Sequence, residues 1–139
     1  MSNGIFLLFR KRLTGLLLAV LTTGCATGAP GEIPGPILLE RIRAGNPPVI
    51  VDVRSAAEYE AGHIPGAISI PFWAVLSRYD RVPATPDQPI VIYCEHGPRA
   101  VLAKPAFRLV GFREILYLEG DMQAWKTGNL PLEPAPVPP

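Results

Sequence analysis

Cysteine and histidine are scarce in this sequence: its 139 residues hold two of each, Cys25, Cys94, His63 and His96. A zinc site needs three or four ligands at close spacing, so no structural metal is expected. Positive charge is not in excess either. Lys and Arg number 13 against 12 Asp and Glu, and three of the bases, Arg10, Lys11 and Arg12, sit together near the start. Without that cluster ten bases face twelve acids, and the basic stripe of a nucleic-acid binder is missing. No internal repeat is present. No apolar run reaches the roughly 20 residues that cross a bilayer as a helix. What remains is 48% hydrophobic, enough for one domain with a buried core.

The charged cluster opens a leader. Residues 10–25 read RKRLTGLLLAVLTTGC, with an apolar stretch from Leu13 to Thr23 ahead of Gly24-Cys25. A basic region followed by a short apolar one is the layout of a secretory signal. The small residues ahead of the cysteine resemble the bacterial lipoprotein box, with Thr22 where Leu is usual. That resemblance implies a signal peptide over 1–24 and lipid on Cys25. Ala26 in place of aspartate after the cysteine resembles the class sorted to the outer membrane, so a periplasm-facing, membrane-anchored lipoprotein is expected. A protein secreted to the periplasm is the alternative. Residues 25–36, rich in Gly, Ala and Pro, read as a flexible tether, 37–130 as the folded domain, and 131–139, with five prolines, as a disordered tail.

Within the domain, Ile37 to Ala44 has the spacing of a short amphipathic helix closed by Gly45. Val49 to Val53 is a β-branched strand. Ser55 followed by Glu58 is a capping box opening a helix over Ala56 to Ala61. Ala67 to Ile70 reads as a short strand, Phe72 to Tyr79 as a helix, and Ile115 to Leu118 as another strand. Asp121 should cap a helix through Trp125. Pro105 falls inside the helix after Arg99, where it costs about 3 kcal/mol and should kink it. Strands that are apolar throughout, alternating with helices, predict an α/β fold with a parallel sheet covered on both faces.

The stretch the rest is organised around is Pro89 to Ala100, PIVIYCEHGPRA. A buried strand runs into Cys94, then a Gly-containing turn opens a helix. Backbone N–H groups at such a turn converge on one spot that favours negative charge, where a thiol serves as a nucleophilic thiolate. An inert core cysteine is the alternative. Asp52 and Arg54 either orient this loop or form a structural ion pair at a strand end; Glu58 and His63 read as capping and turn residues.

Three segments resemble the rhodanese-like sulfurtransferase family: VDVRSAAEYEAGHIPGAISIP, VIYCEHGPRA and LVGFREILYLEGDMQAWKTGNLPLE. They come in the right order and cover about residues 33 to 133. The resemblance implies a single domain with a five-stranded parallel sheet flanked by helices. It implies a cysteine, Cys94, that takes a sulfane sulfur, becomes a persulfide and hands the sulfur to a thiol or cyanide, without a cofactor. Thiosulfate, or a small-molecule or protein persulfide, would be the donor. Glu95, His96, Gly97, Pro98, Arg99 and Ala100 would form the substrate-binding loop. In it the N–H groups make the cradle, Gly97 permits its backbone, and Arg99 suits oxyanions. Two residues depart from an ideal anion cradle: Pro98 has no N–H, and Glu95 adds a negative charge. Four residues separate Cys94 from Arg99, where the phosphatases and arsenate reductases of this fold have five, so a sulfur atom fits better than a phosphate. The other rival is a non-catalytic rhodanese-like binding module at the cell envelope.

Overall fold

The computed structural model describes residues 29–134. In chain order its elements are β1 (Glu32–Ile33), α1 (Gly35–Arg43), β2 (Val49–Asp52), α2 (Ala56–Glu60), β3 (Ile68–Ser69), α3 (Val75–Arg78), β4 (Ile90–Tyr93), α4 (Pro98–Leu109), β5 (Ile115–Leu118) and α5 (Asp121–Thr127). Single 3-10 turns, Phe72–Ala74 and Tyr79–Arg81, flank α3. The five strands form one sheet in the order β1-β5-β4-β2-β3, every pair parallel.

β4 lies in the middle, and its side chains explain its composition. Ile90, Ile92 and the following Cys94 pack into a core with Ala100, Ala103 and Phe107 of α4 and Val75 of α3. Val91 and Tyr93 point the other way, into a core with Leu38 and Leu39 of α1 and Met122 and Trp125 of α5. Both faces are covered, so a run without polar alternation is what the position requires.

Three expectations change. The fifth strand, β1, lies inside the stretch read as a tether: Ile33 is buried, and α1 begins at Gly35 with a proline in its first turn, where a missing N–H is harmless. The folded part therefore includes Glu32 to Pro36, and two residues are too few for a strand pattern to show. At the other end, Pro131 to Glu133 are fixed to the body. The Trp125 indole N–H donates to the Pro131 carbonyl at 2.8 Å. His63 and Glu133 exchange backbone hydrogen bonds of 2.9 and 2.8 Å. The segment from Phe72 to Tyr79 is two 3-10 turns around one α turn, because Ala74 (φ −101, ψ 0) and Arg78 (φ −135, ψ 9) leave helical geometry. α4 runs through Pro105, and Val101, whose carbonyl loses its i+4 donor, is on the exposed side. The leader with Cys25, and residues 135–139, lie outside the described residues.

Candidate active site

All five strands point their carboxyl ends the same way, so the residues just after β2, β4 and β5 gather at one edge of the sheet. β4 sits between β5 and β2. Cys94, immediately after β4, is therefore flanked by the Asp52–Arg54 segment on one side and by Asp121 on the other.

Cys94 is 1% exposed. The Gly97 N–H donates to its Sγ at 3.0 Å, and Gly97 holds φ +106, a conformation L side chains rarely adopt. Pro98 opens α4 at its first turn; that suits the helix but gives the loop no donor. The start of α5 clamps the same segment. Its first-turn N–H groups have no partner within the helix, and those of Met122 and Gln123 donate to the Cys94 and Glu95 carbonyls at 3.1 and 3.2 Å. Asp121 completes the clamp: its Oδ1 accepts the Cys94 N–H at 2.7 Å. Asp121 does not cap α5 as the sequence suggests. Gly120 holds the N-cap position, no side chain caps the helix, and Asp121 itself has φ +53. Burial pushes its carboxyl above the usual aspartate value, against the Cys94 N–H that favours the anion.

On the β2 side every charge is paired. Arg54 Nε donates to both Asp52 oxygens at 3.0 Å and Nη2 to Oδ2 at 2.6 Å; the Tyr93 hydroxyl donates to the same Oδ2 at 2.8 Å. Both members of the pair are buried, 0% and 2% exposed. Burial pulls the guanidinium pKa down, yet the Asp52 hydrogen bond and charge leave it above its ordinary value. Arg54 also donates to the Gly62 carbonyl at 2.8 Å and reaches Glu95 Oε2 at 3.2 Å. The two readings of Asp52 and Arg54 are thus one: a buried ion pair that also holds the loop. Lys126 takes the other Glu95 oxygen at 2.8 Å, and although burial works the other way, Lys126 and Arg54 hold that carboxyl below its usual range. Arg99 is engaged as well, donating to both oxygens of Glu58 at 2.6 and 2.8 Å. Glu58 forms its capping box with Ser55, and Arg99 first, then Ser55, hold its carboxyl well below the carboxylate range.

The loop residues therefore differ in what they offer. His96 is exposed, Ala100 has its methyl in the core, Gly97 points its N–H at Sγ, and the Arg99 guanidinium acts on the same sulfur. A cleft of about 280 Å³ beside the loop is lined by Arg54, Glu58, Ala61, Gly62, Glu95, Lys126 and Leu132. Among the described residues no three His, Cys, Asp or Glu side chains converge as a metal site would need. The sequence reading gives Asp121 only a capping role and Glu58 only its capping box, and gives Lys126 no place at the site. The capping box gave Glu58 a sufficient local explanation, and nothing near Asp121 in the chain announces a partner 27 residues away.

Comparison with known proteins points one way. The profile of the Rhodanese-like domain matches residues 36–127. A protein of Allochromatium vinosum named Sulfurtransferase is 32% identical over 101 residues, 73% of this chain and 92% of that protein. An HTH-type transcriptional regulator of Mycobacterium tuberculosis, Rv0324, is 43% identical over 103 residues, 72% of this chain, but the chain spans only 44% of that regulator's length. Among solved structures, the Alr3790 protein from Anabaena superposes with a TM-score of 0.67 at 28% identity, over 76% of this chain and 94% of that one. A rhodanese-related protein from Thermoplasma volcanium gives 0.61 at 26% identity, over 73% and 96%.

Proposed function

This chain belongs to the Rhodanese-like domain family, and from that premise we propose that it is a sulfurtransferase working through a persulfide on Cys94. The observation that carries the reading is the Cys94 Sγ held against the Gly97 N–H at 3.0 Å at the end of the central strand. Such a donor stabilises sulfur as an anion, in the thiol's reactive form and again in the persulfide. The thiolate attacks the outer sulfur of a thiosulfate or persulfide donor, the donor's own bond to that sulfur breaks, and the donor leaves with the electron pair. A thiol or cyanide then takes the outer sulfur and returns the Cys94 thiolate. With Cys25 consumed by lipid, as the leader suggests, Cys94 is the one thiol left in the chain, so the acceptor is another molecule. The loop favours sulfur over phosphoryl chemistry, because four residues separate Cys94 from Arg99.

Intact-mass measurement after treatment with thiosulfate or hydroxyethyl persulfide tests this. Wild type is expected to gain one sulfur, lost again on adding cyanide, while Cys94→Ala gains none. No gain from either donor in wild type would leave a binding module as the reading. We propose further, from the leader alone, that Cys25 carries the lipid that holds the domain at the periplasmic face of the outer membrane. Labelled palmitate should mark the wild type and not Cys25→Ser; label and membrane fractionation retained in the variant would refute it.

A further inference from the structure

Seven charged side chains surround Cys94 or its loop: Asp52, Arg54, Glu58, Glu95, Arg99, Asp121 and Lys126. Six are paired, Arg54 with Asp52 and Glu95, Lys126 with Glu95, and Arg99 with Glu58. Asp121 is the exception: among the described residues no Lys or Arg nitrogen lies within 4.0 Å of it, and the exposed His96 ring acts on it as a cation when protonated. Four acids against three bases leave the site one negative charge in excess, and the unbalanced charge is on a residue that contacts the reactive cysteine itself. Its Oδ1 is one hydrogen bond from the Cys94 main chain, and its Oδ2 lies 3.3 Å from where a Cβ on Gly97 would stand. The carboxylate is thus wedged between the cysteine and the residue whose N–H holds Sγ. It is kept there on a backbone of φ +53, which glycine adopts more readily than aspartate. A strained residue that touches the reactive one points to a role at the site.

We propose that Asp121 is the specificity-determining residue of this site, selecting sulfur donors of low charge over dianionic ones; the proposal rests on the sulfurtransferase reading. With an organic persulfide the Cys94 thiolate attacks the outer sulfur of R–S–SH. The new Cys94 S–S bond forms, the donor's own S–S bond breaks, and RS⁻ leaves with the pair. The proton stays on the transferred sulfur, so the donor enters neutral and the thiolate's one negative charge leaves on RS⁻. With thiosulfate the same attack expels sulfite, and two further negative charges must be brought in and carried away beside Asp121. The guanidinium at hand, Arg99, acts on the Cys94 sulfur but carries the Glu58 carboxylate on both its Nη atoms, so that pair brings little net positive charge to the site. Electrostatic repulsion near a buried site is strong because water screens it poorly.

The test compares initial rates of sulfur gain at Cys94 from thiosulfate and from hydroxyethyl persulfide, by quenched intact-mass measurement. The variants are Asp121→Asn, Asp121→Gly, which suits the backbone and guards against misfolding, and Glu119→Gln, which removes an exposed charge two residues away. The ratio of the thiosulfate rate to the persulfide rate is expected to rise about tenfold in both Asp121 variants, the scale of one unit charge acting on a nearby dianion. Glu119→Gln should leave that ratio within about twofold. An equal change of both rates, or a ratio that rises no more than in Glu119→Gln, overturns the proposal while leaving the sulfurtransferase reading intact. A wild type that gains sulfur from neither donor overturns both.

Discussion

The two sides of the Cys94 loop are held by opposite means. Toward β2, charge is matched with charge: Asp52 and Arg54 are buried as a pair, Arg54 and Lys126 share Glu95, and Arg99 forks onto Glu58. Toward β5, backbone meets backbone through Met122 and Gln123, and the one side chain involved is an aspartate without a cation partner among the described residues. The paired side can be rigid and nearly neutral in its field on the cysteine. The unpaired side places a charge where a substrate must feel it. The difference separates residues that position the loop from one that filters what reaches it.

Breaking the paired side should cost most. Arg54→Ala leaves Asp52 buried without its cation, and loss of one partner of a buried pair costs about 3 to 5 kcal/mol; urea unfolding should show that loss, with Asp52→Asn restoring part of it. At the seam between the two sides, Gly97→Ala forces a side chain into φ +106 and against Asp121 Oδ2. That should cost about 1 to 3 kcal/mol, and less when Asp121→Gly is added, which a double-mutant cycle would read. On the β5 side, Asp121→Gly should be more stable than Asp121→Ala by about 1 kcal/mol, since both lose the carboxylate and only alanine keeps the left-handed strain. Equal stabilities would show that the backbone there is unstrained. The smallest effect belongs to the half-exposed Glu58–Arg99 pair, where Glu58→Gln should cost about 1 kcal/mol or less at neutral pH. Its sign with pH is fixed. Glu58 is held below its ordinary 4.5 in the folded protein, so the unfolded chain takes up the proton first. The stability the pair contributes is full above 4.5 and is lost on acidification toward the folded value. Thermal melts should therefore show wild type losing its advantage over Glu58→Gln as the pH falls.

Much of the fold was legible, for a local reason. β2, β4 and β5 are written as apolar runs because both sheet faces are buried, and the Ser55–Glu58 box states where α2 begins. β1 was not legible: two residues carry no period, and only pairing with Tyr117 and Leu118 makes them a strand. Cys94 and its loop could be found from strand, turn and helix in succession. The partners of that loop could not. Glu58 meets Arg99 across 41 residues, Arg54 meets Glu95 across 41, and Cys94 meets Asp121 across 27.

Neighbours a few residues apart decide β2, β4, β5, the start of α2 and the loop that carries Cys94, so these are written in the sequence. The tertiary structure alone decided the electrostatics of the site. Parallel pairing brings the carboxyl ends of β2, β4 and β5 side by side, and only there do four carboxylates and three cations sort themselves, leaving Asp121 unmatched beside Cys94.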